Sequence, residues 1–232
     1  MLISVIIPVY NHEAALKRSL ASIAQQTYKE IEVVIVDDGS QSPIQSLVSN
    51  FQFPIIFIHQ NHLGAPAARN RGFRESKGDY VIFWDADVIA EPDMLQKMYQ
   101  TLQDHPGASF SYSNFYFGKK SMPAQTFNLQ ALQARNFIHS TSLIRREAVV
   151  SWDESLKRFQ DWDLWLTMAE QGKTGIWIPE YLFRVLPRRG GMSTWLPSFC
   201  YGTPWKFLPW IRSIVKEYEK MRARVQEKHK LA

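Results

Sequence analysis

Two carboxylates one residue apart, Asp85 and Asp87 in DYVIFWDADV (79–88), end an apolar run where a strand would leave its sheet. In an extended chain residues i and i+2 point the same way, so both acids aim at one point while Ala86 turns aside. Unit charges 4 Å apart repel by ~4 kcal/mol at an effective dielectric of 20. A proton, an arginine or a metal ion has to relieve that repulsion. Hard cations such as Mn2+ or Mg2+ suit such an oxygen pair, with phosphate oxygens completing the shell. A second pair, Asp37 and Asp38 in VDDGS (36–40), can accept hydrogen bonds from a base N–H and ribose hydroxyls, although DDGS is also ordinary turn composition. Arg69 and Arg71 in GAPAARNRG (64–72) do not share a helix face, so one is expected to face the site and the other solvent. Gly64 allows a ligand to approach the backbone closely. Asp161 and Asp163 open a helical pattern, where a carboxylate is first of all a cap or dipole partner.

Secondary elements must bring these groups together. Residues 3–9 form a continuous apolar run and read as a strand covered on both faces. Residues 13–26 set Ala14, Leu16, Leu20, Ile23 and Ala24 at near-helical spacing, with Asn11 as the N-cap. Residues 31–36, 54–59 and 80–84 read as further strands. The segment after Gly64 and residues 92–103 read as helices, the first stopped at Gly78 and the second opened by Pro92. Strand–helix alternation implies right-handed crossovers and a mainly parallel sheet flanked by helices. Ligands bind beyond the carboxyl ends of such strands. PVYN, DDGS and DAD lie at three of those ends, so three polar clusters converge on one rim. After about residue 105 the pattern loosens: strands at 108–117, 137–144 and 173–178, a loop at 118–123, a helix at 161–171 and a loop at LPRRGGMST (186–194).

Hydrophobic residues make up 45% of the 232, enough for one sizeable core and too many for a disordered chain. The single cysteine, Cys200, excludes an internal disulfide and fits a reducing, cytoplasmic compartment. MLISVIIPVYN lacks a basic leader region, and no run approaches the ~18 apolar residues of a spanning helix. There is no phosphate-loop lysine motif, no G-x-G-x-x-G and no zinc-type cluster. The net charge of +5 sits wholly in residues 203–232, leaving the body neutral, so no nucleic-acid partner is expected. In that tail Ile211, Ile214, Val215, Tyr218, Met221 and Val225 follow helical spacing. Such a helix packs on its own domain or on a second copy in a homodimer, or makes peripheral contact with an anionic membrane.

Read in order, SVIIPVYN (4–11), VDDGS, GAPAARNRG, DYVIFWDADV and QDWDLW (160–165) resemble the inverting glycosyltransferases of family 2, which have the Rossmann-like GT-A fold. The likeness runs from about residue 3 to about residue 195. It implies a GT-A domain over 1–202, with a nucleotide-sugar-binding half (1–105), an acceptor and base half (106–202) and a basic helical tail (203–232). It also implies a nucleotide-diphospho-sugar donor, UDP being commonest, and a saccharide or lipid-linked acceptor in cell-surface polysaccharide or glycan synthesis. Pro8, Tyr10 and Asn11 would line the nucleotide pocket, Asp38 with Asp37 would hold the base, and Gly64, Arg69 and Ala86 would lie along the donor. Asp85 and Asp87 would be the metal pair, with Asp87 the more direct ligand of Mn2+ or Mg2+. Asp161 inherits the role of general base, ahead of Asp163.

Two departures stand out. Gln160 replaces the glutamate that relatives place before the base. Leu186, Pro187 and Arg188 stand where many relatives have a histidine, so Arg188 or Arg189 is expected to neutralise diphosphate charge, unless that loop is merely solvated. Trp162, beside the presumed base, is the tryptophan expected to stack on an acceptor sugar, whereas Trp165 reads as core and His139 as a core or surface residue ahead of one facing the acceptor. Two other readings compete: a sugar nucleotidyltransferase, which should carry a Gly-rich basic loop after the first strand, and a non-catalytic nucleotide-sugar-binding or scaffold relative.

Overall fold

The computed structural model describes residues 1–42, 44, 45, 51–187 and 209–231. β1 (Ile3–Val9) and β2 (Ile31–Asp37) are apolar on both faces because helices cover both sides of the sheet. Ile3, Val5, Ile7 and Val9 join the core under α1 (Glu13–Ala24) and α3 (Met94–Asp104), while Ile6 faces the opposite core with Ala68 of α2 (Ala65–Glu75) and Trp165 of α5 (Gln160–Glu170). Each fully buried apolar side chain of this kind contributes roughly 1.5–3 kcal/mol. α2 lies so close to β1 that a Cβ on Gly72 would come within 2.4 Å of Ile6 Cγ2, so only glycine fits there.

With β3 (Ile55–His59), β4 (Tyr80–Phe83), β5 (Val88–Ala90), β6 (Phe110–Phe117), β7 (Lys120–Met122), β8 (Leu143–Arg145) and β9 (Gly175–Val185), the described residues form a nine-stranded sheet. The path is β3-β2-β1-β4-β8-β6-β9-β5, with β7 hairpinned onto β6. Through β3-β2-β1-β4 every pairing is parallel. Beyond β4 the sheet is mixed: β8 runs antiparallel to β4 and β6, and β5 antiparallel to β9.

Several local expectations give way to tertiary context. The strand expected over 137–144 shrinks to β8, because residues 139–142 turn on themselves: Ser142 N–H donates to Ser140 O and its hydroxyl to His139 O. The loop at 118–123 contains β7, and β9 extends well past the strand expected at 173–178. α1 is preceded by His12 without a side-chain cap, α2 ends at Ser76 rather than Gly78, and α3 starts two residues after Pro92. A short helix, α4 (Leu129–Ala134), capped by Asn128 through Ala131 N–H, was not expected.

The tail forms α6 (Pro209–Lys228) and packs on its own domain. Val215, Met221 and Val225 are buried, and Tyr218 lies edge-on to Phe159, with ring centroids 4.9 Å apart. Lys228 Nζ is 2.7 Å from Asp163 Oδ1 and 2.8 Å from Asp153 Oδ2. His229, itself buried, sets Nε2 2.9 Å from Asp163 Oδ1 and Nδ1 2.7 Å from Glu170 Oε1. The apolar stripe that an interfacial helix would insert into lipid is therefore used internally. No helix among the described residues is long and apolar enough to cross a membrane.

Candidate active site

The carboxyl ends of β1 and β2 lie side by side, Val9 opposite Asp37. Just past β1 the chain turns at Asn11, whose φ of 47° is left-handed, a region Asn tolerates better than most residues. Asn11 N–H donates to Ser40 Oγ (2.9 Å), and its Oδ1 accepts from Gln41 N–H (2.8 Å). It ties the two strand-end loops together instead of capping α1. Pro8 lies half-buried within β1, and Tyr10 stands exposed at the rim. Asp37 and Asp38 are buried. Asp37 accepts from Ser40 N–H (2.9 Å), and its other oxygen is 2.9 Å from His59 Nδ1. Asp38 accepts from Gln60 Nε2 (2.8 Å), Leu63 N–H (2.9 Å) and Gly64 N–H (2.8 Å). All four oxygens of the pair thus have protein partners, and the two acids first of all shape the loop leading into α2. Gly64, with φ of 97°, makes the bend that presents its N–H to Asp38.

At the end of β4, the segment expected to be extended through Asp85 and Asp87 is a tight turn, closed by Val88 N–H donating to Asp85 O (3.0 Å). Ala86 at its tip is buried, and Asp85 and Asp87 are each half-buried. One of the ways to relieve an acidic pair, an arginine, stands against Asp85. Arg69 Nη2 lies 2.7 Å from Asp85 Oδ1, its Nη1 donates to Gln160 Oε1 (2.9 Å), and its guanidinium sits 4.4 Å from the centre of the Trp152 ring. Arg71, as expected of one of the two, points outward to Glu75 at 3.0 Å. Arg69 Nε and Trp152 Nε1 are buried donors without a partner, as is the Thr141 hydroxyl nearby in sequence to Ser140.

The other wall comes from residues that the sequence marked weakly or not at all. Because β8 runs antiparallel to β4, with Leu143 opposite Ile82, the residues just before β8 lie beside those just after β4. Ser140 Oγ donates to Asp85 Oδ2 (3.3 Å), and Ser140 N–H donates to Asp161 Oδ2 (3.2 Å), so one buried serine touches both carboxylates. His139 Nδ1 accepts from Thr141 N–H (3.0 Å), and its Nε2 lies 4.0 Å from Asp85 Oδ2. Its ring is braced by Phe115 and Phe183. It packs between aromatic rings with one nitrogen toward the site. Asp161 is aimed by the residue before Gln160: Phe159 is left-handed at φ 61°, an unfavourable conformation for a bulky residue, held by its contacts with Trp162 and Tyr218.

The charges pull in opposite directions. Burial alone would raise Asp85, but Arg69 and His139 outweigh it and hold its pKa below 3.8. For Asp161 burial dominates and, helped by the charge of Asp85, raises the pKa above 3.8 despite His139 and Arg69. Two neighbouring carboxyls with pKa values pushed apart are an acid–base arrangement.

Not every expected residue arrives. Trp162 is buried, with Nε1 donating to Leu132 O, and its ring offers nothing to an acceptor sugar: two positions of a helix so close in sequence cannot both face the site. For the same reason Asp163 turns away from Asp161, toward α6. Arg188, Arg189, Cys200 and the LPRRGGMST segment from Arg188 on lie outside the described residues. Among the described residues no three His, Cys, Asp or Glu side chains gather into a metal cage. The donors present suit a cation held mostly by its substrate. Asp87 is a hard oxygen donor, and Mn2+ or Mg2+ takes one or two carboxylates and fills its shell from phosphates and water.

A family profile described as "Glycosyl transferase family 2" matches residues 4–151. Glycosyltransferase GlyA of Streptococcus pneumoniae is 38% identical over 117 residues, 49% of this chain and 17% of its own length. An uncharacterised glycosyltransferase of Methanocaldococcus jannaschii, MJ1057, is 29% identical over 209 residues, 81% of this chain and 72% of its own. The chain spans 17%, 38% and 64% of the length of three of the curated relatives it matches, so those relatives extend beyond it. Among solved structures, S. aureus TarS 1–349 in complex with UDP-GlcNAc superposes with a TM-score of 0.72 at 21% identity, covering 85% of this chain and 62% of that one. The mannosyltransferase PcManGT of Pyrobaculum calidifontis, in complex with GDP-Man and Mn2+, gives 0.64 at 20% identity, covering 81% and 58%.

Proposed function

The chain belongs to glycosyltransferase family 2, and from that premise we propose that it moves a sugar from a nucleotide-diphospho-sugar, preferably a UDP-sugar, to a saccharide or lipid-linked acceptor hydroxyl with inversion. The observation that carries the reading is Ser140, which joins a carboxyl of raised pKa, Asp161, to the Asp85 turn at the opposite wall. The nucleotide lies over Tyr10 and the loop shaped by Asp37 and Asp38, along residues 1–105. The diphosphate reaches the Asp85–Asp87 turn, and the acceptor enters from residues 106–202. Asp161 takes the acceptor hydroxyl's proton as that oxygen attacks the anomeric carbon. The bond to the diphosphate oxygen breaks on the opposite face in the same step, so the configuration inverts and no covalent intermediate forms. Arg69 keeps Asp85 ionised and in place. A divalent cation held by Asp87, with Asp85 behind it, would draw charge from the departing diphosphate as a Lewis acid.

Support for a nucleotide-sugar donor comes from the structural neighbours in complex with UDP-GlcNAc and GDP-Man, the second also with Mn2+. Glycan synthesis at the cytoplasmic membrane face is the setting this reading favours. Arg212, Lys216, Lys220 and Arg222, exposed on α6, are the surface proposed to meet anionic lipid. Failure to sediment with anionic vesicles at low salt removes that part. Calorimetry with UDP-, GDP- and dTDP-sugars, with and without Mn2+, tests the core of the reading alongside Asp87→Ala. Expected is Mn2+-dependent binding of one nucleotide, abolished in the variant. Binding indifferent to both metal and Asp87 overturns the metal role, and no binding of any nucleotide sugar overturns the donor reading.

A further inference from the structure

We infer that His62 occupies the seat of the nucleobase and must swing out before a nucleotide can bind; this rests on the donor reading above. The His62 ring lies on Tyr10, centroids 4.0 Å apart and planes 21° from parallel. Its Nδ1 is 2.8 Å from Asp38 Oδ2 and 3.1 Å from the Asp38 carbonyl oxygen. Both neighbours only accept, so Nδ1 carries the proton and donates. A flat heteroaromatic ring therefore rests on an aromatic face while giving an N–H to a buried carboxylate. A uracil, thymine or guanine ring would make the same two contacts, through its ring N–H. Adenine and cytosine lack a ring N–H of that kind.

The slot is closed as it stands. A third ring between Tyr10 and His62 needs roughly twice their present separation. The backbone of the loop is pinned, because Leu63 N–H, Gly64 N–H and the Gln60 side chain all bind Asp38. The His62 side chain is 55% exposed, so the imidazole can leave by rotating about its own bonds into solvent while the loop stays fixed. A base that displaces it takes over a site already shaped and an acceptor already aimed. The cost is competition: apparent affinity falls by the fraction of molecules in which the seat is open. His62 thus sets the strength of nucleotide binding while Asp38 sets its selectivity, and His62 does so without touching the reacting atoms.

The test is calorimetric binding of UDP and CDP to the wild type, His62→Ala and His62→Phe, each checked by its melting curve. His62→Ala is expected to bind UDP about five- to tenfold more tightly than the wild type, the competing stack and hydrogen bond being gone. His62→Phe keeps the stack, loses the donor and falls between them; it also covers the case in which alanine loosens the loop. CDP is expected to bind more weakly than UDP to all three. If the wild type binds UDP and His62→Ala binds it equally or less tightly, the seat assignment is wrong while the donor reading stands. If none of the three binds any nucleoside diphosphate, the donor reading falls and this inference with it.

Discussion

The two walls of the rim are built in opposite ways. On the donor side Tyr10, Asp38 and Asp85 each come within two residues after a strand of one parallel ladder, and the ladder alone brings them to a common edge. On the base side only Ser140 and His139 are placed by a ladder, the short antiparallel pairing of β8 with β4. Ser140 precedes a three-residue strand, Asp161 follows a left-handed phenylalanine, and the helix carrying Asp161 is clasped from behind by α6 through Lys228 and His229. Parallel backbone pairing thus sets the donor wall, whereas a short antiparallel pairing and side-chain ion pairs set the base wall. The first should tolerate single substitutions in geometry. The second should not.

Asp161→Asn gives the largest effect expected from that contrast: a fall in transfer of about 10²- to 10⁴-fold, with nucleotide affinity unchanged. Because burial raises the pKa of Asp161, the folded state holds its proton to higher pH than the unfolded chain. Stability contributed by this group is therefore lost as pH rises through that range, and the asparagine variant should melt no lower than the wild type at neutral pH. The same shift places the acid limb of the rate profile above the ordinary carboxylate range, with rate rising as Asp161 loses its proton. A variant retaining transfer would remove the base from this residue.

Arg69→Met cuts one strut between the walls and leaves Asp85, partly buried, without its arginine, at a cost of about 2–3 kcal/mol in urea unfolding. If unfolding is unchanged, the walls are held by something other than Arg69. Asp163→Asn attacks only the clasp. It should cost roughly 2 kcal/mol and raise amide exchange in α6, with UDP binding unaffected. Equal exchange in α6 would show that its apolar contacts suffice.

The smallest expected effect is a pH effect at the outer end of the clasp. Burial would raise Asp153, but bonds from Lys228 and Ser155 lower its pKa to about 2. Its contribution is complete above 3.8 and drains away as pH falls toward about 2, so α6 should loosen in that window. Asp153→Asn should flatten this acid transition in far-UV circular dichroism. An identical transition in the variant would assign it to other carboxyls.

The amino-acid sequence by itself determined the donor wall. Apolar runs of two-faced strands, each ended by polar residues, can pair only as an inner parallel sheet, and such a sheet delivers its strand ends to one side. What it did not determine is how those residues are used. Asp85 and Asp87 sit on a turn rather than an extended chain, Asp85 serves Arg69, and Asp37 and Asp38 fold a loop. Ser140 and His139 carry no pattern of their own, since a serine and a histidine before a three-residue strand look like any loop. They reach the site only because β8 runs antiparallel to β4, a choice made by long-range pairing. The fate of the tail was likewise left open by its helical spacing. Tertiary packing decided it, because burying Val215, Met221 and Val225 against the domain, and Lys228 and His229 against the α5 carboxylates, satisfies apolar and charged groups together.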